Sequence, residues 1–230
     1  MKPTLLILHG ALGDQQQMAP LQRLLSENFE TYNINFPGHG GRKMETDNLS
    51  IAHLRDDVAN FLINNGLSKI NIFGYSMGGY VALELARKHP ESVNKIFTLG
   101  TKLNWTPEIA AKEIRLLNPD KIEEKIPAFA NVLKKRHAPL DWKWVMSQTA
   151  ELMTNLGNGT SIKLEDFKNI NHSTTIGIGD QDNMVSIEES KQVADMLPNG
   201  TLSIFKNTEH PFEKVDLSYL SKMICQFMAD

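Results

Sequence analysis

Cys225 is the single cysteine among the 230 residues, so an intramolecular disulfide is excluded and a reducing compartment, the cytoplasm, suits the chain. Charge of one sign is not in surplus either. Lys and Arg number 24 against 27 Asp and Glu, for a net charge of -3, which offers no electrostatic footing for nucleic acid or an anionic membrane. Apolar runs are short: the first, Leu5 to Leu8, stops at His9-Gly10 and lacks the small-residue cleavage site of a signal peptide, and none approaches the roughly 20 residues of a spanning helix. Repeats, low-complexity tracts and flexible linkers are missing. His53, His89, His137 and His172 are scattered without metal spacing, and one Asp180-Gln181-Asp182 triplet lacks the further oxygen ligands that an ion needs, so no metal or cofactor is expected. Cys225 falls among Leu217, Leu220, Ile224 and Phe227 at helical spacing and reads as a core thiol. The remaining expectation is one well-buried core acting on a small-molecule substrate.

Short β-rich runs alternate with amphipathic helical stretches, the pattern of a parallel sheet covered on both faces. The predicted strands are Thr4 to His9, Thr31 to Phe36, Lys69 to Gly74, Lys95 to Gly100, Thr174 to Gly179 and Thr201 to Phe205. Most are continuous apolar runs, as burial on both faces requires. Ser50 reads as an N-cap, and Ser186 with Glu189 as a capping box. From Lys102 to about Lys163 the alternation breaks into successive helices, opened by Thr106-Pro107, by Asp120 and by Asp141. The chain therefore divides into a core over 1–101 and 164–230, and a helical insert over 102–163.

Gly74-Tyr75-Ser76-Met77-Gly78 follows the third apolar run and precedes an Ala- and Leu-rich helical stretch. By chance such a pentapeptide would occur in roughly one chain in ten of this length. Its position between strand and helix makes it a nucleophile elbow, with Ser76 exposed at the tip of a turn too sharp for a Cβ at either flank. A serine nucleophile needs a base, a carboxylate to orient the base, and donors for the oxyanion. Asp182 follows the fifth strand, with Asp180 in reserve, and His210 follows the sixth, so all reach the carboxyl edge of the sheet. His9-Gly10-Ala11-Leu12-Gly13 closes the first strand and forms an oxyanion loop. The backbone N–H groups of Met77 and Ala11 are the expected donors, with Leu12 the alternative to Ala11. His39, in Phe36-Pro37-Gly38-His39-Gly40, is expected to fix its own Gly-rich loop.

These motifs, in this order, resemble the serine α/β-hydrolases, the family of proline iminopeptidases, carboxylesterases and C–C bond hydrolases. The resemblance covers essentially the whole chain and implies an α/β-hydrolase fold, a six-stranded mostly parallel sheet flanked by helices with a helical cap insert. It favours Asp182 over Asp180 as the acid. Three departures stand out: the N-terminal β-hairpin of the family is missing, Glu209 and Pro211 flank the histidine, and Tyr80 replaces the arginine that the similar menaquinone-pathway lyases carry after Gly-Gly. The resemblance implies a serine hydrolase that cleaves a small ester, thioester or related acyl substrate. The alternatives are a triad-dependent lyase and a scaffold that binds a small ligand without turnover. The insert would select the substrate, with Trp105 and Phe129 as pocket residues and Trp142, Trp144 and Met146 as further apolar walls.

Overall fold

Each predicted apolar run becomes a strand. They are β1 (Thr4–Leu8), β2 (Glu30–Ile34), β3 (Ile70–Tyr75), β4 (Val93–Leu99), β5 (Ser173–Gly179) and β6 (Gly200–Phe205). The computed structural model describes residues 2–46 and 48–229. Its six strands form one sheet in the order β2-β1-β3-β4-β5-β6, with every pairing parallel. Central β3 is buried along its whole length while β2 and β6, at the edges, are partly exposed. That contrast follows from cover: a strand roofed on both faces must be apolar at successive positions, and an edge strand need not be.

The helices are α1 (Gln15–Leu25), α2 (Ile51–Asn64), α3 (Met77–Lys88), α4 (Pro107–Ile114), α5 (Pro119–Lys125), α6 (Pro127–His137), α7 (Trp142–Asn155), α8 (Ile187–Met196) and α9 (Leu217–Ala229). Leu6 and Leu8 of β1 enter a core shared with α2, α3 and α8, and the alternate residues Leu5 and Ile7 enter one shared with α1 and α9. Cys225 packs, half-buried, against the second core. The first β–α–β unit runs to one side of β1 and the next to the other, so the loops after β1 and β3 diverge and leave a crevice at the carboxyl ends of the strands. Among the described residues no helix is long and apolar enough to cross a membrane.

Asp14, Ser50, Thr106, Asn118, Asp141 and Ser186 each accept a first-turn backbone N–H at the start of a helix. Two expectations change. Asn118-Pro119, not Asp120, opens α5. Ser186 caps α8, but Glu189 does not reach back to complete a box; its Oε1 instead accepts from the N–H groups of Leu103 and Asn104, at 2.7 and 2.9 Å, and ties the end of β4 to α8. Between β4 and β5 lie four helices, α4 to α7. The unforeseen one, α6, starts at Pro127 behind Ile126, which has no capping side chain. This segment carries a small core of its own, built from Ile122, Ala130, Leu133, Trp142 and Met146.

Candidate active site

β3 ends at Tyr75 and α3 begins at Met77, which leaves one residue to make the turn. Ser76 makes it at φ 50 and ψ -117, a left-handed conformation that costs a non-glycine residue about 1–3 kcal/mol. The surroundings hold it there: Ser76 N–H donates to Leu99 O at 2.8 Å, and Thr101 Oγ1 donates to Ser76 O at 3.1 Å. A Cβ at Gly74 would lie 2.5 Å from Gly78 O, and one at Gly78 would run into the carbonyls of Leu8 and His9. The flanking glycines are therefore demanded by close approach of backbone.

His210 and Asp182 arrive at this turn from the loops after β6 and β5. His210 Nδ1 lies 2.7 Å from Asp182 Oδ2, and its Nε2 lies 3.4 Å from Ser76 Oγ. The carboxylate can only accept, so Nδ1 carries the proton and Nε2 offers its lone pair to the serine. The serine contact is long, as such bonds are before substrate draws the groups together. Asp182 Oδ1 accepts from the N–H groups of Met184 and Val185 at 2.8 and 2.9 Å. Its side chain is 2% exposed, so every acceptor it buries is satisfied. Asp180 stands exposed and, among the described residues, takes only Thr208 N–H, at 3.4 Å. The Glu209 and Pro211 flanks leave His210 in reach. Tyr75 Oη donates to His210 O at 2.7 Å, and burial raises the phenol pKa so that it remains a donor.

The loop after β1 faces the same space. Among the described residues neither Ala11 N–H nor Met77 N–H has a protein acceptor, and both residues line the pocket beside Ser76 while Leu12 does not. His9 fastens this loop. Its Nε2 accepts from Phe36 N–H at 3.1 Å, so Nδ1–H donates to Gly10 O at 2.8 Å. His39 is fully buried beside it, and Nδ1 lies 3.3 Å from Pro37 O, in keeping with its expected place in its own loop. His137, in which no role was legible, completes a buried row: ring centroids lie 5.3 Å apart for His9 and His39, and 5.7 Å for His39 and His137. Burial first, then the neighbouring histidine or Arg136, lowers the pKa of His9 to about 3 and those of His39 and His137 to about 4.

Ser76 and His210 open on a cleft whose empty space, its open mouth included, is about 500 Å³. Most of its walls are apolar side chains, among them Ile51, Met77, Leu152, Leu156 and Val185, and Trp105 stands among them. Phe129 does not: it is 38% exposed on α6, a correction to the expected pocket. Trp142 and Met146 belong to the core of the insert. Two charges in the cleft were not anticipated. Lys102 Nζ donates to Met184 O at 2.7 Å and lies 3.7 Å from buried Glu113 and 3.8 Å from Glu189. Lys102 stands just past the end of β4, after Gly100 and Thr101, so the sheet-edge argument that found Asp182 and His210 would have found it too. Tyr80, also in the wall, accepts from Ile162 N–H at 2.6 Å.

Known proteins show the same frame. The chain aligns with a candidate carbamate hydrolase of a Caulobacter species at 23% identity over 232 residues, 92% of this chain and 85% of that protein. A candidate esterase/lipase of Haemophilus influenzae is 28% identical over 97 residues, 42% of this chain and 33% of that protein; the chain spans about a third of the length of several curated relatives it matches. Among solved structures, the 2-hydroxy-6-oxo-6-phenylhexa-2,4-dienoate hydrolase of a Rhodococcus strain superposes with a TM-score of 0.82 at 20% identity, covering 100% of this chain and 91% of that one. The enol-lactonase of Burkholderia xenovorans gives 0.81 at 15% identity, covering 100% and 92%. The sequence profile described as the alpha/beta hydrolase fold matches residues 3–137, more than half of the chain, from β1 to the end of α6 with the elbow included. With the parallel sheet, the elbow after β3 and this match in agreement, the chain belongs to the α/β-hydrolase fold family.

Proposed function

We propose that the protein is a serine hydrolase that cleaves a small ester, thioester or related acyl substrate through an acyl-enzyme on Ser76. The observation that carries this reading is the unbroken chain from Asp182 Oδ2 through both nitrogens of His210 to Ser76 Oγ, opening on an apolar cleft. His210 Nε2 takes the Ser76 proton as Oγ attacks the substrate carbonyl carbon. The N–H groups of Ala11 and Met77 receive the oxyanion. His210 then gives its proton to the departing alcohol, thiol or amine, and the acyl group stays on Oγ. Water attacks next, losing a proton to His210, which returns it to Ser76 as the acid leaves. Asp182 remains ionised and holds the imidazolium.

In this reading residues 102–163 form a cap that selects the substrate, since Trp105, Glu113 and Leu152 all come from it. Tyr80 supports hydrolysis over the lyase alternative, because its hydroxyl is committed to Ile162 N–H and brings no positive charge to that position. The carbamate hydrolase likeness adds carbamates to the substrates worth assaying. The test is labelling with a fluorophosphonate, followed by a panel of short esters, thioesters and carbamates. Ser76 should be the modified residue, and Ser76→Ala should abolish labelling and turnover while unfolding stays cooperative. Equal labelling of the alanine variant, or modification of another serine, would remove Ser76 from the mechanism.

A further inference from the structure

We infer that the helical insert grips the oxyanion loop at Leu12, with Arg136 and His137 as positioning residues that keep the Ala11 N–H aimed at the oxyanion. The inference rests on Ala11 being a donor of the oxyanion hole. Leu12 sits at φ 57, in the left-handed region where the Cβ of an L-residue crowds the backbone. Such a residue persists only where its surroundings over-determine it. Its own loop supplies two ties, Gly13 N–H to Gly10 O at 3.1 Å and His9 Nδ1–H to Gly10 O at 2.8 Å.

The insert supplies the others. Arg136 Nη1 donates to Leu12 O at 2.9 Å. His137 Nδ1 accepts from Gly40 N–H at 3.2 Å, so its proton is on Nε2, which lies 3.2 Å from the same Leu12 O. Arg136 is itself held by Asp14 at 3.6 Å and Glu213 at 3.4 Å. The Leu12 side chain packs against the core of the insert, built on Ile122, Leu133, Trp142 and Met146. One residue is thus grasped at both its carbonyl and its side chain by α5, α6 and α7, directly after the residue whose N–H faces Ser76. A cap that only covered the site would have no need of the Leu12 carbonyl. This one couples its own seating to the shape of the hole.

The test compares Arg136→Met, His137→Asn, the double variant and His137→Gln, using p-nitrophenyl acetate and a phenylboronic acid that forms a tetrahedral adduct on the serine. Asparagine keeps a partner for Gly40 N–H but cannot reach Leu12 O, whereas the glutamine amide reaches where Nε2 was. The double variant should lose roughly 10- to 100-fold in kcat, the scale of a misplaced catalytic group or oxyanion donor. KM should change little, boronate affinity should fall in step with kcat, and His137→Gln should recover most of the loss caused by His137→Asn. Should the double variant fail to fold cooperatively, Leu12→Gly takes its place, because glycine accepts φ 57 without strain and lacks the gripped side chain; kcat and boronate affinity should again fall together. Folded variants with unchanged kcat and boronate affinity would overturn the inference and leave the hydrolase reading standing, as would a loss of kcat with full boronate affinity. A wild-type protein with no turnover and no label on Ser76 would overturn the hydrolase reading, and this inference with it.

Discussion

At the residue scale, the two aspartates of one loop separate by what surrounds them. Asp182 is buried, takes two backbone N–H groups on one oxygen and orients His210 with the other, while Asp180 is exposed. Asp182→Asn should lower kcat on an activated ester by roughly 10³- to 10⁴-fold, since the amide disfavours the productive histidine tautomer. Asp180→Asn should stay within about threefold, because it lies outside the hydrogen-bonded chain. Steady-state kinetics of the two variants decides, and a larger loss at Asp180 would reverse the assignment. Ser76, Asp182 and His210 were legible because each follows a strand, and the ends of parallel strands share one edge. Arg136 and His137 carry no such mark, since nothing in a helical stretch names the distant carbonyl it will meet.

At the scale of elements, the strands were readable to within about two residues because burial on both faces forces a continuous apolar run. The insert was readable as helical, but not helix by helix. Asn118-Pro119 and Ile126-Pro127 repeat the Pro-at-first-turn signal of Thr106-Pro107, and only Thr106 and Asn118 add a capping oxygen to it. Which face of each helix turns inward depends on docking, and Trp105 and Phe129 therefore part company. Trp105→Ala should shift the relative kcat/KM of short and longer acyl esters by about 1–3 kcal/mol, the usual weight of a pocket wall. Phe129→Ala should leave the ranking intact. An ester panel that moved with Phe129 and not with Trp105 would show the cleft to be wrongly drawn.

Across the whole molecule, the buried row of His9, His39 and His137 joins the β1 loop, the Gly-rich loop and α6, and it makes stability depend on pH. Folded His9 and His39 have pKa values of about 3 and 4, below the ordinary 6.5 that they recover on unfolding. Between those limits the unfolded chain binds protons that the folded one refuses. Their stabilising contribution is therefore complete above pH 6.5 and drains away as pH falls toward 4 and then 3, by up to about 1.4 kcal/mol per pH unit for each site. In urea titrations between about pH 6 and 4.5, His39→Asn should show a shallower slope of unfolding free energy against pH, by close to one proton. Equal slopes would mean that His39 titrates normally in the folded state.

The sequence by itself determined the parallel six-stranded sheet, the elbow at Ser76 and the placing of Ser76, Asp182 and His210 after successive strands, because these depend on local periodicity, on turn glycines and on positions along a one-dimensional chain. Tertiary structure alone decided that Glu113 shares the cleft with Ser76, that Phe129 lies outside it, and that Arg136 and His137 close on Leu12. Those pairings join segments far apart in the chain, and their geometry is set by how helices of the insert pack against a loop of the core, where no short-range spacing can encode the partner.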